Sequence, residues 1–423
     1  LCTAFSCCAS ATMSLVPRAL SAGATRAASF GARPRELTLS KRLPSRAHRV
    51  RVRQGRGRLT VEMGLAEQVS HAWKGLVTEV ERQPTTQKKV VRAVQVIRLI
   101  LIELIGIFSA IPYAIRANNA HKTSGKLVKT LIDQARYGEE LRNTVDVYRK
   151  ADCSKSSASP VCLFVHGGVW ATGEKWQYAP MARRLAEEGN VVVIIEYTLY
   201  PAASADAMVG EVDAALEWVF QNIGKYGGSP DRVALVGHSA GAQLTNMAVW
   251  RRALRGAAQP QLSVGLAGVY DVAEHFEYEF NRGVSEISTM KPAMGGPGGF
   301  DAQSPTLLAR SVAEGTLDVQ DLPTTILLHS ELDVTVPWTQ SAAYSRALGA
   351  AGYESFFLKY PNGGHGEPVL SWWFQGDQRS GDEVVGVPKL SEGTVPPVGD
   401  PLPELQQDLV ELLRCSQDPS FRQ

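Results

Sequence analysis

The chain has 423 residues, 44% hydrophobic and 20% charged, the composition of a globular protein with a sizeable core, and its net charge is only +2. Residues 1–60 hold twelve Lys or Arg against one acid, Glu36, so they carry +11 and the remaining 363 carry 2 − 11 = −9, which argues against nucleic acid as a partner of the folded part. The 6 cysteines (Cys2, Cys7, Cys8, Cys153, Cys162, Cys415) are scattered, which excludes a disulfide framework or a CxxC metal site and suits a reducing compartment.

Residues 1–62 are rich in Ala, Ser and Arg and poor in acids, the composition of an organellar transit peptide. They predict import into a plastid or mitochondrion; Met63 is an alternative start. Residues 63–130 read as a helical region with an apolar segment at 90–116. On a helix, Arg92, Gln95, Arg98, Glu103, Gly106, Ser109 and Arg116 fall within an arc of roughly 140°. One polar stripe on so apolar a helix predicts membrane association, as an interfacial anchor or a span, with core packing as the alternative.

From Tyr137 the pattern changes to short apolar runs separated by amphipathic stretches. Strands are expected at Thr144–Tyr148, Val161–Val165, Val191–Tyr197, Val233–Val236, Leu262–Leu266, Thr324–His329 and Ser355–Tyr360, with helices between them. Runs apolar on both faces predict a mostly parallel, doubly wound sheet, so residues 131–423 form an α/β domain. Residues 271–322 break the alternation and are expected to form a lid-like insertion; 375–402 read as a surface excursion before a last helix at Glu404–Leu413.

Gly237-His238-Ser239-Ala240-Gly241 follows one of these strands and opens a helix, the setting in which G-x-S-x-G exposes a nucleophilic serine. His166-Gly167-Gly168 follows the strand at 161–165, where backbone N–H groups of Gly167 and Gly168, joined by that of Ala240, would bind an oxyanion. His365, on the glycine-bracketed loop Asn362–Gly366, is the expected base, and Asp333, just past the strand at 324–329, the expected acid. His329 and His238 are the rival bases, and Asp271, Asp318 and Asp321 the rival acids. His166 is expected to brace the oxyanion loop. Trp170, Trp176 and Tyr200 are candidates for the pocket wall or for the core. No metal or cofactor is expected.

These residues, taken together, resemble the α/β-hydrolases with an HGG oxyanion loop. The stretch Tyr137-Gly138 to Tyr148, the block His166–Trp170, and Tyr226–Arg232 leading to Gly237–Gly241 are similar to plant isoprenylcysteine α-carbonyl methylesterases. The resemblance implies a serine carboxylesterase working through an acyl-enzyme on a small-molecule or prenylated-peptide ester, a prenylcysteine methyl ester at a membrane among them, with the endoplasmic reticulum or Golgi as the alternative location. His166-Gly167-Gly168-Val169-Trp170 is closer to the HGGxW of formamidases, so an arylformamidase is the second enzymatic reading. A non-catalytic ligand receptor on the same fold is the third.

Overall fold

The computed structural model describes residues 70, 73–96, 130–150, 158–370, 372 and 403–415. The basic segment 1–62, the apolar stretch beyond Val96 and the 375–402 excursion lie outside the described residues. The valine- and isoleucine-rich runs form the middle of one eight-stranded sheet. Its strands are β1 (Thr130–Arg136), β2 (Thr144–Lys150), β3 (Ser159–Val165), β4 (Val191–Ile195), β5 (Gly228–His238), β6 (Leu262–Leu266), β7 (Thr324–Ser330) and β8 (Ser355–Tyr360). They lie in the order β1-β2-β4-β3-β5-β6-β7-β8. β1 and β2 pair antiparallel, β2 with β4 likewise, and every later pair is parallel.

The period-2 alternation of a strand sorts the core into two layers. Val161, Leu163, Val165, Val193 and Ile195 face helices α4 (Ala205–Asn222) and α5 (Ala240–Leu254). Cys162, Phe164, Val192 and Ile194 face α3 (Ala179–Glu187) and the helix Pro403–Cys415. Each such side chain contributes about 1.5–3 kcal/mol by leaving water. Burial on both faces is why these strands read as unbroken apolar runs.

β1 has no counterpart among the expected strands. It is an edge strand with polar residues, held by Gln134 donating to Asp146 at 3.0 Å and Arg149 paired to Asp133 at 3.1 Å. Such a strand carries no apolar run to announce it.

The 271–322 insertion is helical: α6 (Val272–Arg282), α7 (Met290–Ala293) and α8 (Pro305–Ala313) stand between β6 and β7. Asp271 caps α6 by accepting the Glu274 N–H at 3.1 Å, which satisfies one of the free donors of a first turn. Two earlier helices, α1 (73–81) and α2 (86–96), dock on the turn after α6. There Ser285 Oγ donates to Glu79 at 2.9 Å and Arg82 pairs with Glu286 at 2.8 Å. Outward, α1 and α2 expose Trp73, Val90, Val91 and Val94. Among the described residues no helix is long and apolar enough to cross a membrane.

Candidate active site

β5 ends at His238 and α5 begins at Ala240, leaving Ser239 alone at the turn with φ 54° and ψ −122°. A positive φ at a non-glycine residue costs about 1–3 kcal/mol. The Ser239 N–H, bonded to the Leu266 carbonyl at 2.9 Å, helps hold it. A Cβ at Gly237 would lie 2.5 Å from the Gly241 carbonyl oxygen, and one at Gly241 would run into the carbonyl of Val165. The elbow therefore needs both glycines. The Ala240 amide is the first of a 15-residue helix and finds no acceptor one turn back within it, so it stands at the positive end of the helix dipole.

The loops after β7 and β8 bring the other two candidates to this turn. His365 Nε2 lies 2.8 Å from Ser239 Oγ, and His365 Nδ1 lies 2.7 Å from Asp333 Oδ2. All three residues are buried. The second carboxylate oxygen of Asp333 accepts the N–H groups of Thr335 at 2.8 Å and Val336 at 2.9 Å. Burial alone would push the Asp333 carboxyl up. The neighbouring His365, with His329 beside it, outweighs burial and holds the carboxyl well below the usual carboxylate range. An ionised Asp333 fixes the tautomer in which His365 Nδ1 carries the proton and Nε2 accepts one from serine.

The two rival histidines both turn out to be supports. His329 Nε2 lies 2.9 Å from the Val336 carbonyl and 3.2 Å from Asp333 Oδ2, while Ser341 Oγ donates to its Nδ1 at 2.7 Å. His238 donates through Nε2 to the His365 carbonyl at 2.8 Å. Burial pushes His238 down to about 3, so it is neutral near pH 7. Of the rival acids, Asp271 is the α6 cap paired with Arg310 at 3.4 Å, and Asp318 and Asp321 are exposed.

Gly167, the first glycine of the loop after β3, lies against the serine, while Gly168 packs on Thr172. A Cβ at Gly167 would come within 2.8 Å of Ser239 Cβ, and Gly168 has φ 124°, in the range that favours glycine. His166 braces this loop as expected: its Nδ1–H bonds the Gly167 carbonyl at 2.8 Å, and Tyr197 Oη donates to the His166 carbonyl at 2.9 Å. Burial lowers His166 to about 3.

The three aromatic candidates part company. Trp170 is core, 1% exposed, with its indole N–H on Gln243 Oε1 at 3.0 Å. The Tyr200 N–H bonds the Trp170 carbonyl at 2.9 Å, and the side chain packs half-buried on the same cluster. Trp176 donates to Glu174 on its own turn, which is anchored towards β2 by Lys175 on Asp146 at 2.8 Å. None is shown touching Ser239. Tyr197, Gln243, His238 and His329 as supports were not anticipated; each is polar and buried, and its role is defined by the partner it meets, from 4–12 residues away for His329 to 127 for His238.

The model of the alpha/beta hydrolase fold family matches residues 162–368. The sheet order, the elbow and this match agree. The chain has the α/β-hydrolase fold. It is 30% identical over 268 residues to a probable isoprenylcysteine alpha-carbonyl methylesterase of Oryza sativa subsp. japonica, covering 61% of this chain and 63% of that protein. It is 32% identical over 236 residues to esterase LipQ of Mycobacterium tuberculosis, covering 53% of this chain and 54% of that protein. The chain thus spans less than two thirds of these relatives' lengths. Among solved structures, esterase B of Lactobacillus rhamnosis superposes with a TM-score of 0.51 at 18% identity, covering 72% of this chain and 92% of that one.

Proposed function

We propose that the chain is a serine carboxylesterase, and that a prenylcysteine methyl ester is its substrate class. The observation that carries the esterase reading is the relay Ser239–His365–Asp333 at 2.8 and 2.7 Å, closed on one side by Gly167. His365 Nε2 takes the Ser239 proton as Oγ attacks the ester carbonyl; the C=O electron pair moves onto oxygen, facing the amides of Gly167, Gly168 and Ala240. One such donor is worth about 3 kcal/mol to the transition state. The tetrahedral adduct collapses as protonated His365 gives its proton to the departing alcohol, leaving an acyl-serine. Water, deprotonated by the same nitrogen, attacks the acyl carbonyl, and the acid leaves as Ser239 regains its proton.

The methylesterase relatives support the substrate class. The exposed Trp73, Val90, Val91 and Val94 support action at a membrane, since an apolar helix face with Lys88 and Lys89 nearby suits a bilayer interface. Fluorophosphonate labelling of wild type against Ser239→Ala tests the enzyme: label on wild type only is the expected result, and label surviving the substitution overturns it. Turnover of a prenylcysteine methyl ester, a short acyl ester and N-formylkynurenine, side by side, tests the substrate. Preference for the formamide would favour the arylformamidase reading. Cosedimentation with anionic vesicles, lost on Val90→Asp/Val94→Asp, tests the membrane contact.

A further inference from the structure

From His166 to Trp170 every backbone carbonyl of the oxyanion loop has a donor. Tyr197 Oη holds that of His166 at 2.9 Å, and the His166 ring holds that of Gly167 at 2.8 Å. The N–H groups of Ala171 and Thr172 hold the Gly168 carbonyl at 3.0 and 2.9 Å, and the Tyr200 N–H holds that of Trp170 at 2.9 Å. Thr289 Oγ1 donates to the remaining one, the carbonyl of Val169. A trans peptide points the C=O of one residue and the N–H of the next in opposite directions. A gripped carbonyl therefore fixes the aim of the amide that follows it. Among the described residues the N–H groups of Gly167 and Gly168 have no backbone acceptor, which leaves them for an oxyanion.

Two residues of this loop are strained. Val169 has φ 47° and Trp170 φ 59°. Left-handed backbone costs such β-branched or bulky residues about 1–3 kcal/mol each and persists only where surrounding contacts enforce it. Trp170 is enforced by its indole bond to Gln243 and by the core around it. Val169 is only partly buried, and the donor on its carbonyl comes from the insertion between β6 and β7. That donor, Thr289, is 2% exposed, immediately precedes α7 and lies 120 residues along the chain. Its neighbours pin it. Ser288 Oγ donates to Glu279 at 2.8 Å, Lys291 pairs with Glu286 at 2.9 Å, and Met290 and Ala293 pack in the cluster that holds Trp170 and Ala240.

We propose that Thr289 is a positioning residue for the oxyanion hole: its hydroxyl, supplied by the insertion, holds the strained Val169 carbonyl and so keeps the Gly167 and Gly168 amides aimed. The proposal rests on the esterase reading above and names a group outside the relay on which its transition state depends. Gly168 stands between Gly167, which lies against Ser239, and the strained pair. It has no Cβ to limit its own rotation, so its amide is aimed only as well as both flanks are held. Without the Thr289 hydroxyl the Val169 carbonyl is unpaired and the left-handed turn is free to relax through Gly168. Oxyanion donors contribute because they are fixed before the charge develops. The ground-state ester asks less of them, so misalignment lowers kcat and leaves KM nearly unchanged.

The test measures kcat and KM for a short acyl ester, and the affinity of a trifluoromethyl ketone, in wild type, Thr289→Val and Thr289→Ser. Ser239 Oγ adds to the ketone carbonyl, its proton passes to His365 and the C=O electron pair becomes an oxyanion, so this inhibitor reads the amides directly. Thr289→Val is expected to lose about 10–100-fold in kcat, with KM within about twofold of wild type. Ketone affinity is expected to fall by a similar factor, and Thr289→Ser, which keeps the hydroxyl, to recover to within about threefold of wild type. Thr289→Ala removes the same hydroxyl without setting a methyl against the carbonyl and carries the same expectation if Thr289→Val does not fold. A folded Val or Ala variant with wild-type kcat and ketone affinity overturns the proposal. So does a loss confined to KM, a loss of kcat without the matching loss of ketone affinity, or a loss that serine does not recover. Fluorophosphonate labelling of the wild-type sample separates the two readings: labelled enzyme indifferent to Thr289 sinks only this proposal, and unlabelled enzyme sinks the esterase itself.

Discussion

His238, the residue before Ser239, donates its Nε2–H to the backbone carbonyl of His365 at 2.8 Å. The strand that delivers the nucleophile thus also grips the loop that delivers the base. Losing that donor leaves a buried carbonyl unpaired, at about 1–3 kcal/mol, and lets the loop drift. If a similar amount falls on the transition state, kcat for a short acyl ester drops about 10–100-fold in His238→Ala with KM little changed. Gln at this position keeps an N–H of similar reach and is expected to recover part of the loss. Wild-type kcat in His238→Ala would show that the loop holds His365 without this bond.

Asp333 is clamped from three sides, by His365 at 2.7 Å, His329 at 3.2 Å and two backbone amides. Asp333→Asn keeps the shape but removes the charge that stabilises protonated His365 and selects its tautomer. The expected loss in kcat is on the order of 10³–10⁴-fold, with the protein folded. His329→Asn is expected to lose far less, because Thr335 and Val336 still hold the carboxylate. Stopped assays on both variants, normalised to circular dichroism, check the ranking. Equal losses in the two would place His329 in the chemistry.

Away from the site, Arg252 is 1% exposed and joins α5 to α4 through Asp213 at 2.6 Å and Glu217 at 3.0 Å. It also donates from Nε to the Ala258 carbonyl at 2.5 Å and lies over the Phe220 ring. Arg252→Ala removes a buried cation, opens a cavity and leaves a carbonyl unpaired. Its expected cost is about 3 kcal/mol, read as a shift in the denaturant midpoint. Arg252→Met, which refills the volume, should cost less. A midpoint unmoved in Arg252→Ala would mean the network is screened by solvent.

The parallel core was legible because Val161–Val165 and Val191–Ile195 are apolar on both faces, and only a sheet covered by helices on both sides buries such a run. Ser239, Asp333 and His365 were legible for a related reason: each follows a strand, and parallel strands deliver their following loops to one end of the sheet. β1 was not, since Asp133 and Gln134 interrupt its apolar pattern and its partner supplies the stabilisation. Trp170 shows a different limit. Composition marks an aromatic after the oxyanion glycines, but only the fold shows Gln243, 73 residues later, drawing its indole into the core. The roles of His238 and His329 depend on contacts 127 and 4–12 residues away, and no local pattern separates a supporting histidine from a base.

Three buried histidines set how stability responds to acid. His166, His238 and His275 fall from 6.5 to about 3 because burial opposes their charged forms. Between those values the unfolded chain binds protons that the folded chain refuses, so each histidine lowers stability as pH falls below 6.5, by up to ~1.4 kcal/mol per pH unit. Asp333, depressed in the fold, adds to the loss once pH enters the carboxylate range. Glu279 works the other way. Raised by burial from 4.5 to about 8, its stabilising share is complete below 4.5 and disappears as pH rises to 8. Three histidines against one glutamate leave a net loss on the acid side and a slow decline from 6.5 towards 8, with greatest stability near pH 6.5. Denaturant midpoints at pH 8, 6.5, 5.5 and 4.5 check the shape. In His166→Asn the acid-side slope is expected to ease by about 1.4 kcal/mol per pH unit whatever the variant's overall stability. An unchanged slope would rule out His166 as a source of the acid sensitivity.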